Sequence, residues 1–198
     1  MKQRLFFTVL ILLSLAGCAT KVERIKVDKV VDLSGRWNDS DAHMVSQGMI
    51  KDCLEGRWLT NFMKENGRNP TVIVGTVENN SSEHINASLF VKSLESELIK
   101  SGKVDFVASK VERPEVREER KDQQDGWTDP KTIKPIGKEV GADFMLRGSI
   151  NTVTDDAKGK YVILYQVNLE LVDMATNQVR WIEQTELKKL VSKTKYSL

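Results

Sequence analysis

Apolar residues recur along the chain first at helical and later at strand spacing, and the change of period divides it into elements. Met44, Val45, Met49, Ile50, Cys53 and Leu54 fall three and four apart. That spacing predicts an amphipathic helix, capped by Asp39 or Ser40 and stopped at Gly56. Trp58, Leu59, Phe62 and Met63 predict a second, shorter helix that Asn66-Gly67 closes in a left-handed terminus. Trp37 and Trp58 are read as core or flap residues rather than ligand platforms. Residues 70–77 are β-branched and bounded by turn formers, the pattern of a buried strand. Asn86 or Ser88 opens a further helix that turns Leu89/Phe90, Leu94 and Leu98/Ile99 to the core and Lys92, Glu95 and Lys100 to water, until Ser101-Gly102 ends it. Residues 104–108 read as a second strand.

Period two governs the last third. Tyr165, Val167, Leu169 and Leu171 alternate with Gln166, Asn168 and Glu170, so residues 144–154, 160–173 and 178–190 predict a three-strand meander with turns at 155–159 and 174–177. A βαβα start followed by an antiparallel meander places the chain in the α/β (α+β) class, with a single mixed sheet and flanking helices. Between the two halves lies the most charged stretch. In residues 111–124, Glu112, Arg113, Glu115, Arg117, Glu118, Glu119, Arg120, Lys121 and Asp122 surround only Val111 and Val116. It reads as a solvated helix laced by i,i+4 ion pairs. A loop at 125–130 follows, and Ile133, Ile136, Gly137 and Val140 suggest another helix broken or started near Pro135.

The N-terminus has a different character. Met1-Lys2-Gln3-Arg4 is basic and residues 5–13 are almost wholly apolar, the first two regions of a secretory leader and too short for the roughly 20 residues a membrane span requires. Leu15-Ala16-Gly17-Cys18 closes it and resembles the lipobox of bacterial lipoproteins. The expected organisation is a lipoprotein signal peptide at 1–17, a lipidated Cys18 with a short tether at 18–31, and one globular periplasmic domain at 32–198. The resemblance implies that Cys18 carries S-diacylglycerol and an N-acyl chain, and that stable anchoring rests on more than one acyl chain. Ala19 is not the aspartate associated with inner-membrane retention, so the periplasmic face of the outer membrane is the expected address. The tether's alternating Val22, Lys26, Val27 and Val30 would also suit an edge strand. Fully extended, its dozen or so residues reach roughly 40 Å.

Charge and composition narrow the function. The net charge of +2 rests on Lys2 and Arg4, both inside the leader; without them the side chains balance, which removes the electrostatic case for nucleic acid. Two histidines make a histidine-built metal site improbable, and neither a metal nor a cofactor is expected. With Cys18 acylated, Cys53 has no disulfide partner and reads as a small buried hydrophobe. The chain has no Gly-x-Ser-x-Gly and no phosphate-cradling glycine loop, and its carboxylates sit beside Lys and Arg, so a non-catalytic binding protein is expected rather than an enzyme.

Several stretches together resemble the LpoB family of outer-membrane lipoproteins. They are the lipobox, residues 31–41 (VDLSGRWNDSD), residues 70–75 (PTVIVG), residues 141–150 (GADFMLRGSI) and residues 165–173 (YQVNLELVD). The resemblance implies a domain similar to the N-terminal domain of TolB, and a periplasmic regulator that docks on and activates a bifunctional class A penicillin-binding protein. An envelope assembly or secretion lipoprotein, related to the curli secretion apparatus, is the alternative. Docking calls for an exposed polar face with a few anchors, for which Arg and Trp are the usual residues. Arg113, Arg117 and Arg120 on the charged helix and Trp127 in the loop after it are the candidate partner-binding residues.

Overall fold

A computed structural model describes residues 22–26, 29–157 and 159–192. The leader and Cys18 lie outside the described residues, and no helix or strand forms in 22–26 or 29–31. From Asp32 the chain runs α1 (Asp39–Glu55), α2 (Arg57–Asn66), β1 (Thr71–Asn79), α3 (Ala87–Ser101), β2 (Asp105–Phe106), α4 (Arg113–Asp122), β3 (Phe144–Ala157), β4 (Lys160–Asp173) and β5 (Val179–Ser192). The five strands form one mixed sheet in the order β2-β1-β3-β4-β5. β1 is parallel to β2 and β3, while β3, β4 and β5 are mutually antiparallel.

The cap of α1 is one residue earlier than Asp39. Asn38 accepts from the Asp41 N–H at 3.1 Å, and the Asp41 carboxylate accepts from the Asn38 N–H at 2.9 Å, a reciprocal capping box. Only Asn38 has an acid three residues on at the position the box requires. Asp41 is also buried, and Lys189 of β5 reaches both it and Asp32 at 2.6 Å. The same ammonium donates to the Arg36 carbonyl at 3.2 Å, so one side chain ties the segment before α1 to the last strand.

Val45, Met49, Ile50 and Cys53 of α1, Phe90, Leu94 and Leu98 of α3, and the alternate strand residues Val72, Leu146, Ile150, Tyr165, Val167 and Leu169 make the core on one face of the sheet. Burial pushes the Cys53 thiol up to about 12, in keeping with a packing role. Leu89 and Ile99, expected in the core, are more than half exposed, and Glu95, expected in water, is buried with Lys92 at 2.7 Å. Trp58 is buried, donates to the Cys53 carbonyl at 2.7 Å and stacks edge-on to Phe144 at 5.0 Å. Trp37 half-covers the far end of the core, 5.5 Å from Tyr165 and 6.1 Å from Phe90. Glu83 accepts from the Tyr165 hydroxyl at 2.8 Å and the Trp37 N–H at 3.3 Å. Burial first, then Glu83, raises the Tyr165 phenol above its ordinary value.

Where β1 and β3 begin, Asp143 takes a two-pronged bond from Arg68 at 2.7 and 2.8 Å and accepts from the Thr71 N–H at 2.7 Å. The Arg68 bond holds the Asp143 carboxyl below its usual range. The β3–β4 hairpin is tighter than the expected five-residue turn, since Ala157 pairs with Lys160 and both strands run to its tip. Gly148 is required by close approach: a Cβ there would collide with the Asn168 carbonyl on β4. The second sheet face carries Arg147, Ser149 and Asn151 beside Glu170, Asn168 and Gln166, and α4 with the chain after it lies toward its β1–β2 side.

Candidate docking surface

The α4 helix begins where Pro114 fits a first turn and where the Ser109 N–H donates to the Glu112 carboxylate at 2.9 Å. It buries none of its residues. A ten-residue helix without an apolar stripe is not stable alone in water, so other contacts must hold it. Those contacts are ionic. Near its start Lys92 of α3 bridges Glu95 and Glu112. The Lys92 bond, followed by the Ser109 N–H, pushes Glu112 down to about 2. Farther along, Arg117 grips Glu139 with Nε at 3.0 Å and Nη2 at 2.7 Å, while Arg120 Nη1 donates to the same carboxylate at 2.8 Å. These bonds, Arg117's first, push Glu139 down to about 2.

The ion pairs of this helix are therefore tertiary, not the expected i,i+4 ladder. Their acceptor lies in residues 133–140, where a helix was expected and none forms. Gly137 there has φ 80°, which breaks the helical run that Ile133, Ile136 and Val140 suggested, and the segment becomes a strap tied at Glu139. The sequence did hold a signal for Glu139: it is the lone acid between Asp129 and Asp143, among Lys131, Lys134 and Lys138.

Strap, helix and the open face of the sheet bound a groove of about 590 Å³, lined among others by Ile73, Phe106, Val116, Val140 and Met145. Arg113 stands in its wall with Nε buried and without an acceptor. An unmet buried donor costs free energy within the fold. Lys134 N–H donates to the Gln123 side chain at 3.1 Å, closing a loop that carries Trp127. Trp127 is 94% exposed, and Val111, Ile136 and Val140 of the same region are each more than half exposed. Large apolar side chains held in water among charged ones suit contact with another macromolecule.

The structure thus places Arg113 and Arg120 in the groove wall, Arg117 outside its lining on the same Glu139 carboxylate as Arg120, and Trp127 in the loop beyond the helix. Arg120 is the least exposed of the Glu139 pair, at 19% of its side chain against 50% for Arg117. Both arginines hold the strap, whereas Arg113 Nε and Trp127 have no partner to hold among the described residues. Lys92, Glu112 and Glu139 hold this region by ion pairs and were not among the candidate residues read from the sequence. Among the described residues no helix is long and apolar enough to cross a membrane.

Fold and surface define a single-sheet α+β domain with an open groove on one sheet face and an exposed tryptophan beside it. The sequence model of the family described as "Peptidoglycan-synthase activator LpoB" matches residues 41–187, and the chain belongs to that family. Membership makes it a regulator of the penicillin-binding-protein-activator type, in peptidoglycan synthesis. Solved structures similar to it include the LpoB C-terminal domain from Escherichia coli, 17% identical over 77% of this chain and 99% of that one, with a TM-score of 0.43. The LpoB C-terminal domain from Salmonella enterica is 17% identical over 74% and 98%, with a TM-score of 0.41. Lipoprotein GNA1162 from Neisseria meningitidis is 16% identical over 64% and 88%, also at 0.41. No curated protein sequence matches the chain.

Proposed function

We propose that this protein is anchored through acylated Cys18 to the periplasmic face of the outer membrane and activates a bifunctional class A penicillin-binding protein by docking on it. Family membership supports the activator role, and the lipobox at Leu15-Ala16-Gly17-Cys18 supports the anchor. The observation that carries the docking surface is Trp127, nearly fully exposed in a loop closed by Gln123 and Lys134. In this reading Trp127 and Arg113 meet the partner directly, while Arg117 and Arg120 shape the surface by holding Glu139. The tether confines the domain to within roughly 40 Å of its anchor, so the synthase has to project outward to meet it. The test is glycan-strand polymerisation by a purified class A synthase, with and without the full lipoprotein. Faster polymerisation supports the proposal. An unchanged rate with every class A synthase of the same cell refutes it.

A further inference from the structure

The sheet has two unlike edges. β2 is two residues long, whereas β5 has fourteen, contains no proline, and makes no backbone bond on its outer side among the described residues. Long unpaired edges are templates for another strand, and proteins usually blunt them with short strands, proline, bulges or lysines that point inward or along the edge. The one irregularity of β5 lies at its start, opposite Leu171 and Val172, which leaves Trp181 to Ser192 regular. Lys189 points inward but is consumed by Asp32 and Asp41, so it does not guard the edge.

We infer that the β5 edge pairs antiparallel with β5 of a second copy of this chain about a two-fold axis, joining the two sheets into one. Such a contact is isologous, so each residue meets its partner twice. Both copies must keep their helices on the same side of the joined sheet, which restricts the register to residues on the same face of the pleat. Centring the axis on Glu186 or on Lys188 sets like charges face to face. Centring it on Leu187 sets Glu186 against Lys188 twice and spans Ile182 to Ser192 of each strand. Glu186 and Lys188 are both exposed on the open face of the sheet, and Lys188 has no ion pair within the chain among the described residues.

Helix α1 supplies an independent observation. Asp41 and Asp52 bond Lys189 and Trp181 of β5, so that flank of α1 lies along the edge strand. Met44, Gly48 and Glu55 are their neighbours at three- and four-residue spacing on the exposed side. Met44 is 56% exposed, and a Cβ on Gly48 would meet nothing within 4 Å in this chain. A glycine in mid-helix weakens it, and nothing inside the chain demands one here. Close approach of α1 from the second copy supplies a reason.

The test is sedimentation equilibrium of the full lipoprotein in density-matched detergent. The wild type is expected to associate to a dimer, and Glu186→Lys or Lys188→Glu to weaken it roughly tenfold, since each replaces two attractive cross-strand pairs by repulsive ones. The double exchange Glu186→Lys with Lys188→Glu restores the pairs and should return the dimer to within about threefold of wild type. A monomer at every soluble concentration overturns the inference. So does a dimer indifferent to the single reversals or not restored by the exchange.

Discussion

Lys189→Met tests the tie between the first and last elements of the domain. The ammonium lies 2.6 Å from Asp41 and Asp32 and 3.2 Å from the Arg36 carbonyl, with 10% of its side chain exposed. Burial disfavours its charge, yet the two carboxylates hold its pKa above the ordinary lysine value. Methionine preserves the length and removes the charge. Asp41, 6% exposed at its side chain, then keeps its carboxylate buried with the Asn38 N–H as its remaining donor. Removing one partner of a buried pair costs about 3 to 5 kcal/mol. Asp32 is 44% exposed and rehydrates, and the α1 N-terminus still favours a negative Asp41, so about 3 kcal/mol is expected. For a domain of this size that lowers Tm by about 6 to 12 °C. Thermal and urea unfolding followed by circular dichroism would measure it. Asp41→Asn on the Lys189→Met background leaves no buried charge and should recover part of the loss, by a coupling of about 1 to 3 kcal/mol. A single-variant cost below about 1 kcal/mol, the value of an exposed pair, would refute the reasoning.

Gly148→Ala forces a Cβ onto the Asn168 carbonyl, and chemical denaturation should show a loss of about 3 kcal/mol as β3 and β4 part. Glu139 ionises near 2 in the fold against an ordinary 4.5, so its contribution is full above about pH 4.5 and is lost as the pH falls toward 2. Hydrogen exchange and NMR over that window should show the 133–140 strap releasing from α4 as Glu139 protonates. Cys18→Ala should abolish incorporation of labelled fatty acid and leave an unprocessed or soluble precursor, which metabolic labelling reads directly.

Elements whose apolar period was complete were legible in the sequence: α1, α2, β1, α3 and the meander rest on side chains that repeat their own spacing. The αL ends at Gly67 and Gly102 were legible because φ near +65° and +63° requires residues such as glycine. Strap and α4 contacts were not legible, for a physical reason. Mixed charges on one helix can pair within it or elsewhere, and the partner of Arg117 and Arg120 lies 22 and 19 residues on, at Glu139. Glu95 was misplaced for the same cause, because Lys92 neutralises it in place and allows a carboxylate on a core-facing turn. Of the candidate surface, the charged helix and the loop position of Trp127 were legible, and the groove made by the strap was not.

Docking through Trp127 is tested by crosslinking in living cells from a photoreactive residue placed at position 127, where the exposed indole stands. Its companion positions are 147 and 184, exposed on the open sheet face and outside the lining of the groove. A covalent adduct with a class A penicillin-binding protein is expected from position 127, and none from 147 or 184. Adducts with that synthase from the sheet face and none from 127, or no synthase adduct from any position, would contradict it.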